Sequence, residues 1–570
     1  MSEYPVSYFH PNQLIFYIAG SPNDTLNQEL MNWANDNMPP GVKISHLNPP
    51  LQFPPEESPG IKQAAITRAV YTHEGHEMPP TFERPTVFRL VSGEVTGLKP
   101  QEPDQLLKII LDLDDKRKGA PGQRALQAVS PNWLVSGGAS SPGSTGGPGS
   151  RPSPYDGQPE CHDHEFDLSK LPPEIHRQVE TGNKGKDIKV AVLDTAPLQT
   201  LDEIKAGWVT AKKHTLLSTL LKPGHERLVE VVEDGEVDLP LQSVGPNPPE
   251  YLQSNDGHDY VMADHGLFAV GIIHSLAPEA EIRLFQVLNR YGVGDLTCIA
   301  RGLQRVLAYY PNATNLLVNM SLTVNFPIVA AHITTEDPLG KRLGQMILDR
   351  KRSKLIELLC QIYNWLCWLI EKVLPVHLSR CEPSWYERQI WAMQGIHNSL
   401  NALGAKVIAA AGNRRRSGTG RPQAEYPAAF PEVLGVGALP KSEPPADPKT
   451  RLETASYSNF SDQPEGSGMA TLGGEPGQAS GVLGIYLGNV PPAQGSQASP
   501  TSSKNGWAWW AGTSFATPII TGIMAAMLSN MLPGGTPQQV LAELRKHPLY
   551  WTKQDEEALL VKQREPQNPL

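Results

Sequence analysis

An α/β fold built on a doubly wound, mostly parallel sheet is the class this 570-residue sequence predicts. The prediction rests on three observations. From about residue 165 to 550, apolar runs of strand length alternate with helical stretches; the runs are Ile188 to Leu193, Ile282 to Leu288, Leu316 to Met320, Val407 to Ala411 and Val433 to Val436. Each run is continuously apolar rather than alternating, which suits strands covered on both faces. Two of the runs end in polar residues, at the carboxyl edge where open α/β sheets place their functional crevice.

The elements before this region read differently. Leu14 to Ala19 predicts a strand, Asp24 and Thr25 open a helix carrying Leu26, Leu30, Met31 and Trp33, and Val42 to Leu47 and Val87 to Val91 predict further strands. Gln105 to Leu113 predicts a helix and Leu126 to Val129 a last strand. The order βαββαβ predicts a small α+β, ferredoxin-like N-terminal domain over residues 1–135. Residues 136–164 are rich in Gly, Ser and Pro and are expected to form a linker. The α/β domain is expected over 165–550, interrupted by a helical insertion over 325–391, with a tail over 551–570.

Composition narrows the function. With 39% hydrophobic and 19% charged residues and a formal net charge of -10, the chain fits a soluble globular protein and lacks the basic surplus of a nucleic-acid binder. The five cysteines, Cys161, Cys298, Cys360, Cys367 and Cys381, are odd in number and have no CxxC spacing, so no disulfide framework is expected. The start MSEYPVSYFHPNQ has no basic stretch followed by an apolar run. The most apolar long stretch, Leu355 to Leu374, holds Glu357, Gln361, Asn364 and Glu371, too many polar groups for a membrane span. A cytoplasmic location is the expectation.

Four segments carry candidate chemistry. KVAVLDT ends a strand in Asp194, and DHGLFAVGII sets His265 at the start of an apolar helix. AGTSFATP places Ser514 ahead of another apolar helix, where free N–H groups favour a developing anion and Pro518 is expected in the first turn. VIAAAGN ends a strand in Gly412 and Asn413, whose amide could donate to an oxyanion. Taken singly, each residue also has a plain structural reading, as a turn Asp, a helix-start His, a Ser N-cap and a turn Asn.

Together the four resemble the subtilase family, whose chain order is Asp, His, Ser. NMSL, Asn319 to Leu322, resembles the family's substrate-binding strand; YPAAFPEVLGVGA and ASYSNFS are similar to further family segments. The resemblance implies a subtilisin-like fold and a serine endopeptidase acting on protein or peptide substrates. It implies Asp194, His265 and Ser514 as the triad, Asn413 as oxyanion donor, and Ser321, Leu322, Ala411 and Gly412 as substrate-binding residues. It also implies that the N-terminal domain is a propeptide. One departure is Phe268, where the family usually has a second His; altered packing rather than lost chemistry is expected.

No cofactor is expected, although a structural calcium is compatible with the family. CHDHE, Cys161 to Glu165, holds metal-ligand types without a second ligand pair and is expected to be a solvated polar segment. Arg414 and Glu425 lie near the family's first specificity pocket and point to opposite preferences unless they pair with each other. The apolar helix expected within 336–388 either packs on the catalytic domain or docks a regulatory partner. The alternative to an active enzyme is a catalytically silent subtilase-like binding or scaffold module.

Overall fold

The computed structural model describes residues 9–19, 24–53, 88–99, 104–122, 125–137, 152–162, 164–222, 229–232, 262–290, 292–311, 315–324, 404–415, 421–430, 432–440, 451–461, 468–476, 480–490, 505–546, 550–553 and 556–563, with isolated positions and pairs besides. These fall into two compact units. One comprises Phe9–Asn132 with Ala330–Ala402; the other comprises Trp133–Val329 with Leu403–Leu570.

The first unit contains β1 (Phe9–Ala19), α1 (Asp24–Asn37), β2 (Lys43–Leu47), β3 (Leu51–Phe53), β4 (Phe88–Thr96), α2 (Gln105–Lys116) and the first part of β5 (Leu126–Gly137). Its strands are ordered β5-β1-β4-β2, with β3 also on β4. β1 and β4 are antiparallel, Gln13 opposite Glu94 and Ala19 opposite Phe88. α2 buries Leu106, Leu107, Ile110 and Leu113, at the spacing of one helix face. The buried Asp104 pairs with Lys108 and with Arg342, and Arg342 holds its carboxyl down at about 2. Arg342 thus belongs with the N-terminal unit. Nearly all of the expected insertion over 325–391, its docking helix included, lies outside the described residues.

The second unit contains the last part of β5, β6 (Ser153–Pro154), α3 (Pro173–Thr181), β7 (Lys189–Thr195), β8 (Val229–Val232), α4 (His265–Leu276), β9 (Glu281–Leu288), β10 (Val293–Asp295), α5 (Leu296–Tyr309), β11 (Leu316–Met320) and β12 (Leu322–Val324). It continues with β13 (Lys406–Ala410), β14 (Leu434–Leu439), β15 (Met469–Leu472), β16 (Val482–Ile485), β17 (Trp507–Trp510), α6 (Thr513–Met531), α7 (Pro537–Lys546), β18 (Tyr550–Trp551) and β19 (Glu557–Ala558). Nine strands form one sheet in the order β8-β9-β7-β11-β13-β14-β15-β19-β18. Only the β18–β19 pair at the edge is antiparallel. The continuous apolar runs become β7, β9, β11, β13 and β14, and every residue of β11, β13 and β14 is buried.

α6 is buried from Thr513 to Ser529. It is long and apolar enough to cross a membrane, but 89% of its most apolar window is buried within the fold, which marks a core helix. The expected boundaries shift at both ends. Ser153–Pro154 of the expected linker pairs with β17, and Asn505 Nδ2 donates to Tyr155 O and Gly157 O, so this Pro-rich end packs on the sheet region. Residues 556–563 of the expected tail also pair: Ala558 sits beside Ala470, and Lys562–Gln563 pairs with Phe166–Asp167.

Candidate active site

Asp194 is the next-to-last residue of β7, where the register with β9 shifts at a β-bulge. Oδ1 accepts the backbone N–H of Thr195 at 2.7 Å and lies 2.7 Å from His265 Nδ1. Both side chains are fully buried. Thr195 fastens the two elements together: its hydroxyl donates to Met262 O at 2.9 Å and accepts the N–H of Gly266 at 3.1 Å. Gly266 is required by this close approach, since a Cβ there would stand 2.2 Å from Thr195 O and 3.0 Å from Asp194 Cβ.

The far nitrogen of His265, Nε2, is buried and has no hydrogen-bond partner among the described residues. The ring lies edge-on to Trp510, at 5.4 Å between centroids, and is tilted against Phe515 at 5.3 Å. Phe268 packs on the same two rings, 5.7 Å from Trp510 and 4.6 Å from Phe515. The departure from the family's second His therefore fills an aromatic wall behind the imidazole.

Asp264, just before His265, uses its side chain elsewhere. Oδ2 accepts the N–H groups of Leu487 and Gly488, each at 2.7 Å, and pins that loop to the start of α4. Burial pushes its carboxyl up from 3.8 to about 6, although both N–H donors oppose the shift. A carboxyl raised on folding contributes stability that is fully present below its unfolded pKa and is lost as pH rises through the folded one. Asp264→Asn keeps an acceptor oxygen and removes the charge. In denaturant unfolding, wild type is therefore expected to lose stability relative to the variant between about pH 4 and 7. Parallel profiles over that range would mean that Asp264 does not titrate there.

Ser514 is the second residue of α6. Its hydroxyl donates to Ser321 O at 3.2 Å, and Ser321 Oγ returns a bond to Ser514 O at 2.8 Å. This exchange has a local cause. Pro518 lies in the second turn of α6, not in the first as the sequence suggested, and it has no N–H for the carbonyl four residues before it, that of Ser514. Ser321 supplies the missing donor. Its own hydroxyl accepts from Asn319 Nδ2 at 3.0 Å, and Asn319 Oδ1 accepts from Thr521 at 3.0 Å.

Asn413 Oδ1 accepts both the N–H and the hydroxyl of Thr513, at 3.0 and 2.9 Å. That fixes the amide with Nδ2 as its donor end, 3.4 Å from where a Cβ on Gly512 would stand. The preceding turn is wrapped by Asn459, whose Nδ2 donates to Ala411 O and whose Oδ1 accepts the N–H of Arg414. Gly412, at φ +105°, has no room for a side chain: a Cβ would stand 2.6 Å from Asn459 Nδ2 and 2.7 Å from Glu425 Oε2. Asn459 and Thr195 are supports that the sequence did not assign, and Ser321, expected to bind substrate, also braces Ser514 through its Oγ. Their only signal was that they lie in or beside the motifs. Arg414 and Glu425 pair with each other, and burial pushes the Glu425 carboxyl above its ordinary value.

Leu322 and its neighbours do more than flank Ser514. The end of β5 is antiparallel to β12, with Gly137 opposite Leu322, Ser136 opposite Thr323 and Val135 opposite Val324. It is also antiparallel to β10, with Ser136 opposite Val293 and Leu134 opposite Asp295. Gly137 donates to Gly292 O at 2.9 Å, and a Cβ on it would stand 3.7 Å from His265 Cε1. A segment of the chain thus lies as the middle strand of a three-stranded ribbon that leads to the imidazole.

The CHDHE segment contributes packing. His164 stacks on Trp507 at 4.9 Å between centroids, and His162 Nδ1 lies 2.9 Å from Glu165 Oε1. Among the described residues no group of three or more His, Cys, Asp or Glu side chains is placed to hold a metal ion. Among the described residues neither Cys161 nor Cys298 is in a disulfide.

The family model described as "Subtilase family" matches residues 185–561. Among solved structures, the prenylagaramide maturation protease PagA matches with 15% identity over 65% of this chain and 86% of its own, at a TM-score of 0.34. A comparison with curated proteins found no match.

Proposed function

The chain belongs to the subtilase family, and from that premise we propose that it is a serine endopeptidase that works through an acyl-enzyme. The observation that carries the reading is the buried 2.7 Å contact between Asp194 and His265, whose ring packs on Phe515, the residue after Ser514 at the start of α6. Ser514 Oγ attacks the scissile carbonyl; His265 takes the hydroxyl proton at Nε2 and passes it to the leaving amine. Asp194 keeps the other ring proton on Nδ1 and stabilises the imidazolium. Asn413 Nδ2 and the N–H of Ser514 receive the oxyanion, with the N-terminal end of α6 adding its partial positive charge. For attack, the Ser514 hydroxyl turns from Ser321 O to the unpartnered Nε2 of His265.

The strand Leu134–Gly137 supports a second element of the proposal. Residues up to about 137 act as a propeptide whose last strand occupies the substrate ribbon between β10 and β12, and cleavage in the Gly/Ser-rich stretch that follows frees the site. A silent binding module would hold the same fold without turnover. One experiment separates these readings. Purified protein is treated with a fluorophosphonate probe and analysed by intact-mass and peptide mass spectrometry. A single adduct on the Ser514 peptide of a chain shortened by about 137–150 residues is expected. An unlabelled protein would sink the enzyme reading, and a labelled but uncut chain would sink the propeptide.

A further inference from the structure

The register of the β10–β5–β12 ribbon determines which residue of a bound peptide faces Ser514. Gly137 pairs with Leu322, so a peptide in that register carried one residue further would face Ser321, the residue whose carbonyl holds the Ser514 hydroxyl. Under the endopeptidase reading, that next residue is the one whose carbonyl is attacked. In an antiparallel pair, opposite side chains share a face and successive ones alternate. The side chain of the attacked residue therefore leaves the ribbon on the face that carries Thr323 and Ser136, away from the Met262 and His265 side that Gly137 meets.

Beside that strand lies the buried Glu425. β12 is tied to this segment by the Val324 N–H, which donates to Tyr426 O at 2.8 Å, and Glu425 Oε2 lies 2.7 Å from where a Cβ on Gly412 would stand. The Glu425–Tyr426 segment therefore bridges the two backbones that border the site, β12 on one side and the 411–412 turn on the other. The Glu425 N–H is anchored to Ala411 O at 2.9 Å. Glu425 is 1% exposed, and its partner Arg414, directly after Asn413, has a side chain 16% exposed. An entering carboxylate would meet Glu425, an entering ammonium would meet Arg414, and an apolar chain would have to separate or cover a buried ion pair.

We infer that the Arg414–Glu425 pair closes the pocket beneath the attacked residue and makes this a peptidase that cleaves after glycine, with alanine the largest side chain well accepted. The inference rests on the endopeptidase reading above. It agrees with the chain's own sequence, in which Gly138 follows Gly137 and Ala139 follows Gly138. Specificity here comes from exclusion, because a buried ion pair lies beneath the attacked residue.

The test is cleavage of a peptide library by the full-length protein and its matured form, with the fluorophosphonate probe run in parallel. Glycine at the attacked position is expected to give kcat/KM at least about 100-fold above leucine, lysine or glutamate. Arg414→Ser/Glu425→Ala removes both charges together and so leaves neither buried alone. It is expected to raise kcat/KM for leucine or phenylalanine at that position at least about tenfold relative to glycine. Probe labelling with preferred cleavage after large or charged residues in the wild type overturns the closed pocket and leaves the endopeptidase reading standing. An unlabelled, inactive protein overturns both. Should the double variant not fold, the wild-type profile alone decides.

Discussion

Replacing Ser514 with alanine is expected to lower kcat about 10⁶-fold with little change in unfolding temperature. The large effect follows from the proposed role of nucleophile, for which Ser514 is the hydroxyl at the start of α6 that lies on Ser321 O. The small structural effect follows from the contacts. The side chain gives one hydrogen bond, to Ser321 O, while the bond from Ser321 Oγ goes to the Ser514 backbone and survives the substitution. Rate measurements on a glycine-containing peptide beside a thermal melt check both halves. Cleavage retained within about a hundredfold, or a variant that melts far below the wild type, would remove Ser514 from the nucleophile's role.

Asp194→Asn is expected to cost about 10⁴ in kcat with KM little changed. The carboxylate uses Oδ1 for both Thr195 N–H and His265 Nδ1. An asparagine can keep its oxygen on only part of that pattern, and a donating amide toward Nδ1 would favour the proton on Nε2. The imidazole would then face Ser514 with a proton instead of a lone pair and could not act as base. Because Asp194 and His265 are both fully buried, water cannot take the carboxylate's place. Activity within tenfold of wild type would mean that the tautomer is set by something other than Asp194.

Much of this arrangement is legible along the chain because it is local. Continuous apolar runs report strands covered on both faces, and each ends where the sheet's carboxyl edge must be, so Asp194 and Asn413 fall at that edge from sequence alone. Ser514 and His265 are legible for the same reason, since both lie at the beginning of apolar helices. The resemblance to subtilases adds the order of the motifs.

What the sequence could not decide depends on partners far apart in the chain. Pro518 looked like a first-turn residue; the start of α6 at Thr513 puts it in the second turn, and only the approach of Ser321, 193 residues away, satisfies the carbonyl it strands. Arg414 and Glu425 pointed to opposite substrate charges when read singly, and folding cancels the two by bringing them together. Residues 556–563 looked like a tail because two-residue strands carry no periodicity, yet Glu556 is buried against Arg421 and Ser461. The end of β5 read as the beginning of a flexible linker; its place between β10 and β12 comes from backbone hydrogen bonds, which any sequence can make and none announces. The sequence by itself determined the central strands of the sheet, the edge at which they end and the residue types found there. The tertiary structure decided which buried polar groups meet, because burial leaves each of them in need of a partner that only long-range packing supplies.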